Sequence, residues 1–351
     1  MSDVARLAGV SAQTVSRVAA GSEHVRPDTR ERVLRAMNQL GYSPNRAAQA
    51  LRRGSFKTIG VLTQQIQRTG EALTTAGVLE AATAVGYAVN LVQVEHPASE
   101  ELREAVYRLS HQAIDGLVVV QAGRAGREQL VLPPSMPVAV SDSTLVDYYP
   151  SASADQVGGV RDAVTHLLEL GHRTVHHVCG PEDSQSALIR KATWARTLRE
   201  AGRDVPETVS GGWEAAAGYE AGLRLAADPE VTAVFCANDE LALGLIRAMH
   251  EQGRRVPADV SVVGFDGLAV GEYSFPPLTT VRQDFKRHGR EMVGLVLEQA
   301  DSGPLDGSRS IIIPTELLVR GSTAPPTAWA DAGMPAPRSV AARCPYVRVA
   351  P

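Results

Sequence analysis

The stretch from Asp3 to Val18, DVARLAGVSAQTVSRV, leaves few options for how the front of this chain folds. It divides into a short helix over 3–8, a turn at Gly9-Val10-Ser11 and a second helix over 12–19. Gly9 can close the first helix with a positive φ, which a Cβ would oppose. Ser11 carries a hydroxyl able to accept from a free N–H at the start of the second. Ala5 is small enough for two helices to cross closely, and Val4, Leu7, Val10, Val15 and Val18 supply an apolar inner side. Gln13, Thr14, Ser16 and Arg17 are left polar. This is the pattern of a helix-turn-helix, whose second helix enters the major groove, where Gln and Arg pair with adenine and guanine edges. An ordinary two-helix corner satisfies the same short pattern, so other features must separate the two.

Charge is one of them. The net charge is −4, yet residues 1–53 hold nine arginines against Asp3, Glu23, Asp28 and Glu31, a balance of +5 that leaves −9 for the remainder. A basic end on an acidic body is the footprint of nucleic-acid binding through that end. Behind the second helix, Gly21-Ser22-Glu23-His24 reads as a loop. Pro27 opens a third helix, where its missing N–H matters least. That helix runs to about Leu40, with Val33, Met37 and Leu40 on one face and Gly41 as its stop. Asn45–Leu51 is helix-prone but two turns long, and isolated helices below about 12–15 residues are marginal in water. The segment is either a hinge helix that forms only with a partner or DNA, or a plain linker.

From Lys57 the pattern changes to alternating apolar runs and helical stretches. Strands are predicted at 57–63, 86–94, 115–120 and 137–142, with helices over 71–85 and 99–111 between the first three. A second set of strands follows at 174–180, 207–210, 233–238 and 259–265, with helices over 157–170, 187–202, 214–227 and 240–252. Such alternation argues for parallel sheets covered on both faces, and two sets argue for two lobes. From Gly321 the chain is rich in Pro and Ala without heptads, and a disordered tail is expected over 321–351. Cys179, Cys236 and Cys344 are far apart and form no metal-ligand spacing, which fits a reducing compartment. There is no secretory signal at the start, and no apolar run approaches the ~18 residues of a membrane span. A cytoplasmic, nucleoid-associated protein with no membrane contact is therefore expected.

In open α/β sheets ligands sit at the carboxyl ends of strands. Asp142, Asn238-Asp239, Asp266 and Gln283-Asp284-Phe285 all fall there, with Arg190 and Trp194 on the helix after Gly180-Pro181 and Trp213 heading another. A carboxylate accepts from sugar hydroxyls, Arg and Asn donate to them, and an aromatic plane covers the apolar sugar face. Asp239 is expected to cap the helix over 240–252, Trp194 to pack in the core, and His176-His177 to face opposite ways on a strand rather than to pair on a metal. Asp142 can also be read as a loop carboxylate bonded by its own backbone. No G-x-S-x-G, phosphate-cradling Gly-Lys loop, metal spacing or nucleophile–base pair stands out. No catalytic residue, metal or cofactor is expected.

The runs VSAQTVSRV, TRERV, LGYSPNRAAQAL and TIGV resemble the headpiece and hinge of the lactose repressor (LacI/GalR) family of bacterial transcription regulators, over residues 3–60. The resemblance continues through most of the chain and is close to the family's namesake. It implies an all-α helix-turn-helix headpiece on an α/β core like a periplasmic sugar-binding protein, made of two doubly wound parallel-sheet lobes with chain crossings near 154, 283 and 312. The implied domains are a headpiece at 1–44, a hinge at 45–56 and a core at 57–320. In the core, an N-lobe takes about 57–154 and 285–312, and a C-lobe about 155–282 and 313–320.

Position by position, Gln13 and Arg17 fall on the family's base-reading positions. Ala12 stands where the namesake has a tyrosine, so operator preference should differ. Thr14, Ser16, His24, Arg30 and Asn45 are expected to touch phosphate or sugar, contacts that position without specifying. Leu51 matches a hinge leucine that wedges into the minor groove, a place equally suited to packing hinge against hinge. Asp142, Arg190, Asn238 and Asp266 match positions that hydrogen-bond the inducer sugar, Trp213 matches the stacking aromatic, and Gln283 and Phe285 match residues at the site's edge. Asp142 and Trp213 together favour a galactoside-like inducer over a purine or fructose phosphate.

Two departures stand out. Family members usually carry several residues ahead of Asp3, so either the start is annotated late or DNA affinity is weakened. Arg26 occupies the third helix's cap position, where Ser is usual. The namesake's leucine-heptad tail has no counterpart here. The expectation is a homodimeric repressor on double-stranded operator DNA, released by a sugar. Three rivals compete with it: a free sugar receptor, an enzyme, and a family member that requires a purine-like corepressor.

Overall fold

The computed structural model describes residues 1–326 except 20, 21, 23, 43–54, 96–99, 121, 122, 124–127, 129, 131, 134, 142 and 308. Asn45, Leu51 and Asp142, most of the 45–56 segment and the tail from 327 lie outside the described residues.

Among the described residues, three helices form the front: α1 (Ser2–Ala8), α2 (Ala12–Ala19) and α3 (Pro27–Gln39). Gly9 ends α1 at φ 64°, and the Ser11 hydroxyl accepts from Thr14 N at 3.2 Å. Val4, Ala5, Ala8, Val15, Val18, Val25, Val33, Ala36 and Met37 fill the core between them. Leu7 and Leu40, expected inside, are exposed. At 100° per residue, positions 4, 5 and 8 of α1 share one arc and position 7 falls beyond its edge. Leu40 follows the last helical residue, so the buried face of α3 does not extend to it. Arg26 stands at the cap of α3 and makes no side-chain capping hydrogen bond there.

Among the described residues the body holds two six-stranded sheets. The first contains β1 (Thr58–Thr63), β2 (Ala88–Gln93), β3 (Gly116–Val119), β4 (Val138–Val140), β5 (Ser151–Ala154) and β11 (Ser310–Ile313). The second contains β6 (His176–Cys179), β7 (Val209–Ser210), β8 (Ala233–Cys236), β9 (Ser261–Asp266), β10 (Thr279–Arg282) and β12 (Glu316–Leu318). Their orders are β2-β1-β3-β4-β5-β11 and β7-β6-β8-β9-β10-β12, the same doubly wound path traced twice. Every pairing is parallel except that of β12, which runs antiparallel to β10. The chain passes to the second sheet after β5, returns at 283–284 and crosses again between β11 and β12.

Helices α4 (Thr69–Ala84), α5 (Glu100–Ser110) and α10 (Phe285–Ser302) cover the first sheet. Helices α6 (Gln156–Glu169), α7 (Gln185–Glu200), α8 (Ala215–Ala226) and α9 (Asp239–Glu251) cover the second. Successive strand residues feed opposite faces: Leu117, Val119, Val138 and Val140 pack with α5, while Val118 and Ala139 pack with α4 and α10. The two latter helices meet backbone to backbone, and a Cβ on Gly289 would stand 2.1 Å from Gly77 C. That contact holds the start of α10 beside α4 at the mouth between the lobes.

Strands β5, β10, β11 and β12 and helix α10 fall where the alternation of apolar runs predicts no element. Ser151–Ala154 reads SASA and Thr279–Arg282 reads TTVR, too short and too polar to signal a strand without their neighbours. The expected disorder from Gly321 does not hold for 321–326. Ser322 is fully buried, its hydroxyl donating to Val262 O at 2.6 Å and accepting from Thr279 N at 2.8 Å. Ala324 N donates to the Ser261 hydroxyl at 3.0 Å. The second sheet offers backbone groups that this segment satisfies, so it is bound despite its composition.

Candidate functional site

Two doubly wound sheets facing each other bring two sets of strand carboxyl ends to one cleft, where the strand order reverses in each. The cleft is partly open to solvent. From the second sheet come Gln156, Ser186, Arg190, Trp213, Asn238, Asp266 and Gln283, with Phe285 at the crossing; from the first come Arg68, Thr69, Gly70, Glu71, Thr74 and Val120.

Arg190 and Asp266 form its centre. Asp266 ends β9 at φ 110°, a conformation a side chain rarely adopts. Its Oδ1 accepts from Gln283 Nε2 at 2.7 Å and lies 3.4 Å from Arg190 Nη2. Arg190 Nε donates to Gln156 Oε1 at 2.8 Å, Nη1 donates to Ala237 O, and the guanidinium lies 3.8 Å from the Phe265 ring centre and 5.6 Å from that of Trp213. Burial pushes the Asp266 carboxyl up to about 6, with Arg190 and Gln283 pulling the other way.

Asn238, not Asp239, caps α9. Its Oδ1 accepts from Leu241 N at 2.8 Å and its Nδ2 donates to Trp213 O at 3.0 Å. Asp239, expected as the cap, is fully buried and accepts instead from Thr280 Oγ1 at 2.5 Å and Leu268 N at 2.6 Å. Burial and the neighbouring Asp266 push its carboxyl up to about 7. The reason is position: the residue at 238 is extended (φ −147°, ψ 175°), as a cap must be, and 239 is already helical. Trp194 packs in the core with Nε1 donating to Val175 O at 2.9 Å, and His177 is buried while His176 is half-buried. Among the described residues no three metal-ligating side chains cluster, and no helix is long and apolar enough to cross a membrane.

The cleft thus gathers Arg190, Trp213, Asn238, Asp266, Gln283 and Phe285. The contribution of 68–74 is absent from the sequence-based candidates. Its signal is there: TQQIQRTG follows β1, a strand carboxyl end like those that point to the other lobe. Glu71 folds back onto this loop, its Oε2 accepting from Thr63 Oγ1 at 2.6 Å, Gln65 N at 2.7 Å and Gln64 N at 3.0 Å. Burial raises the Glu71 carboxyl against those donors and Arg68. Three contacts tie the lobes across the cleft: Arg68 Nη2 lies 3.5 Å from Asp183 Oδ2, Gln64 Nε2 donates to the same oxygen at 3.3 Å, and Thr69 Oγ1 donates to Glu240.

At the front, Ala12, Gln13 and Arg17 lie exposed on α2 opposite buried Val15 and Val18. Thr14 and Ser16 are half-buried, the Thr14 hydroxyl 3.0 Å from that of Ser11, and His24 is exposed. Arg30, expected on phosphate, is half-buried and donates to Ser22 O at 2.5 Å, tying α3 to the loop after α2.

A helix-turn-helix carried by a two-lobed α/β core with a polar interlobe cleft defines a ligand-responsive transcriptional regulator. Residues 1–45 match the family described as bacterial regulatory proteins, lacI family, and residues 164–323 match a periplasmic binding protein-like domain. The chain is 35% identical to the lactose operon repressor of Escherichia coli K12, over 96% of each chain. It is 33% identical to the transcriptional repressor PurR of Haemophilus influenzae, over 91% of this chain and 97% of that one. The crystal structure of the Lac repressor dimer bound to operator and the anti-inducer ONPF superposes with a TM-score of 0.81 at 33% identity, covering 92% of this chain and 98% of that one. The chain belongs to the lacI family of bacterial regulatory proteins and is a DNA-binding transcriptional repressor of that family.

Proposed function

We propose that this chain is an effector-released repressor of a carbohydrate-utilisation operon, working as a cytoplasmic, nucleoid-associated homodimer. Two α2 helices take successive major grooves of a pseudo-palindromic operator. Gln13 and Arg17 read base edges, with Ala12 leaving room at the groove floor. Thr14, Ser16, His24 and Asn45 contact the backbone, and Leu51 enters the minor groove. Arg30 holds the loop after α2 and adds its charge to the phosphate-facing surface. In the cleft, Asp266 accepts from effector hydroxyls and Arg190 donates to them. Trp213 covers an apolar sugar face, Asn238, Gln283 and Phe285 shape the wall, and Asp142 adds a second carboxylate. A galactoside-like sugar fits this set best.

The observation that carries the reading is the buried Arg190–Asp266 pair opening onto a cleft lined by Trp213. Calorimetric titration of the full-length protein with a galactoside panel and a purine panel tests it. Saturable heat with a galactoside and none with purines is expected. The reverse would favour a second reading, a purine corepressor, supported by the 33% identity to a purine repressor and by two aromatic rings, Trp213 and Phe285, at the cleft. A sequence-preferring footprint that the bound sugar abolishes completes the case, and DNA binding indifferent to every sugar would end it.

A further inference from the structure

The first lobe's wall of the cleft includes an acidic and a basic side chain with hydrogen-bonding capacity to spare. Glu71 is 3% exposed and lines the cleft. Its Oε2 is saturated by three donors, while its Oε1 is buried without any hydrogen-bond partner. Facing that oxygen at 3.8 Å, within ion-pair range, is Arg68 Nη1, also buried and also without a hydrogen-bond partner. The separation is too long for a direct hydrogen bond. Arg68 is held in place from its other side by Asp183 of the second lobe. Buried polar atoms without partners are few in folded proteins and ask for an explanation.

One group satisfies both atoms with a single oxygen. A hydroxyl accepts from Arg68 Nη1 and donates to Glu71 Oε1 at once. An alkyl or aryl group placed there would leave both atoms as they are in the free cleft and gain neither hydrogen bond. We infer that Arg68 and Glu71 form a second hydroxyl-reading subsite opposite Arg190 and Asp266, so that the effector is hydroxyl-rich at both ends: an unsubstituted disaccharide rather than a sugar carrying an apolar aglycone. The inference rests on the cleft being the sugar-effector site and names the part of the effector that meets the first lobe.

The test is calorimetry on the full-length chain with a free disaccharide such as lactose and with isopropyl thiogalactoside, in which an apolar group stands in place of the second ring. The wild type should prefer the disaccharide. Glu71→Gln keeps an oxygen for the loop donors but turns the free acceptor into a donor, and should weaken the disaccharide at least about tenfold, the size expected for a hydrogen bond to a charged group. It should change the thioglycoside by less than about twofold, within the few tenths of a kcal/mol that separate unrelated changes. Arg68→Met should do the same and, leaving Glu71 and its three donors in place, stands in if Glu71→Gln fails to fold. Equal losses for both ligands would mean a merely structural role and overturn the inference, as would unchanged disaccharide affinity in either folded variant. A wild type that binds neither sugar would instead overturn the sugar reading itself, so the two failures are distinct.

Discussion

Asp266 concentrates the demands made on single residues here. It holds a left-sided φ at the end of β9, it is buried, and it faces a buried guanidinium. Strain of this kind persists only where the surroundings over-determine it, and Gln283 and Arg190 supply that constraint. Because burial raises its carboxyl to about 6, the free cleft gains a proton within an accessible range. Protonation turns one of its acceptor oxygens into a donor and removes the charge that strengthens its bonds to hydroxyls. Effector affinity should therefore be flat above about pH 7 and fall towards about tenfold per unit as pH drops below 6. Asp266→Asn should bind more weakly at pH 8 and lose that pH dependence. Titrations between pH 5 and 8 decide it; a flat wild-type profile would remove Asp266 from the contact. The neighbouring pair Asn238-Asp239 marks the limit of reading single residues. Both are polar at a strand-to-helix junction, and which one caps is set by where the backbone turns helical.

At the scale of elements, the inner strand β6 carries a titration of opposite sign. His177 is sandwiched between Trp194 and Phe235, with ring centres 5.2 and 5.0 Å away and Nδ1–H donating to Phe235 O at 2.9 Å. Burial pushes it down to about 4, and burial does the same to His172. Their folded values lie below the unfolded value of about 6.5, so the unfolded chain binds more protons in between. Stability from these two is complete above pH 6.5 and lost as pH falls towards 4. The raised carboxyls of Asp239 and Asp266 act in reverse, losing their contribution as pH rises through about 7 and about 6. Urea unfolding across pH 4–6.5 should give a shallower pH slope for His177→Gln than for the wild type, and an unchanged slope would place the acid sensitivity elsewhere. HHVC was legible as a strand with one buried histidine, but its aromatic neighbours come from 17 and 58 positions further along the chain.

For the whole molecule, the proposed switch couples two ends of one chain. If an effector in the cleft weakens operator binding by some factor, operator must weaken effector binding by the same factor. Measuring effector affinity with and without saturating operator should return equal coupling from both directions. Identical effector affinity in the two states would break the mechanism while leaving the family assignment intact. The interlobe ties of Gln64, Arg68 and Thr69 to Asp183 and Glu240 are the contacts such a change in lobe spacing would remake.

Local chemistry sufficed for the helices and turn of the headpiece, though not for the exposed Leu7 and Leu40, and for the rhythm of the body. Gly9, Ser11 and the spaced valines act within one or two helical turns, and the long apolar strands announce themselves by composition. The carboxyl-end rule carried Arg190, Trp213, Asn238, Asp266, Gln283 and Phe285 to one cleft because every parallel strand in a lobe ends on the same side. What local pattern lacked was anything fixed by a distant partner. The short polar strands β5 and β10 exist because neighbours on both sides supply their hydrogen bonds, and residues 321–326 are bound because the second sheet offers them hydrogen-bonding groups. Glu71 and Arg68 became part of the cleft only when the two sheets faced each other. Folding brings residues more than a hundred positions apart into contact, and their burial, protonation and spare hydrogen bonds follow from that packing.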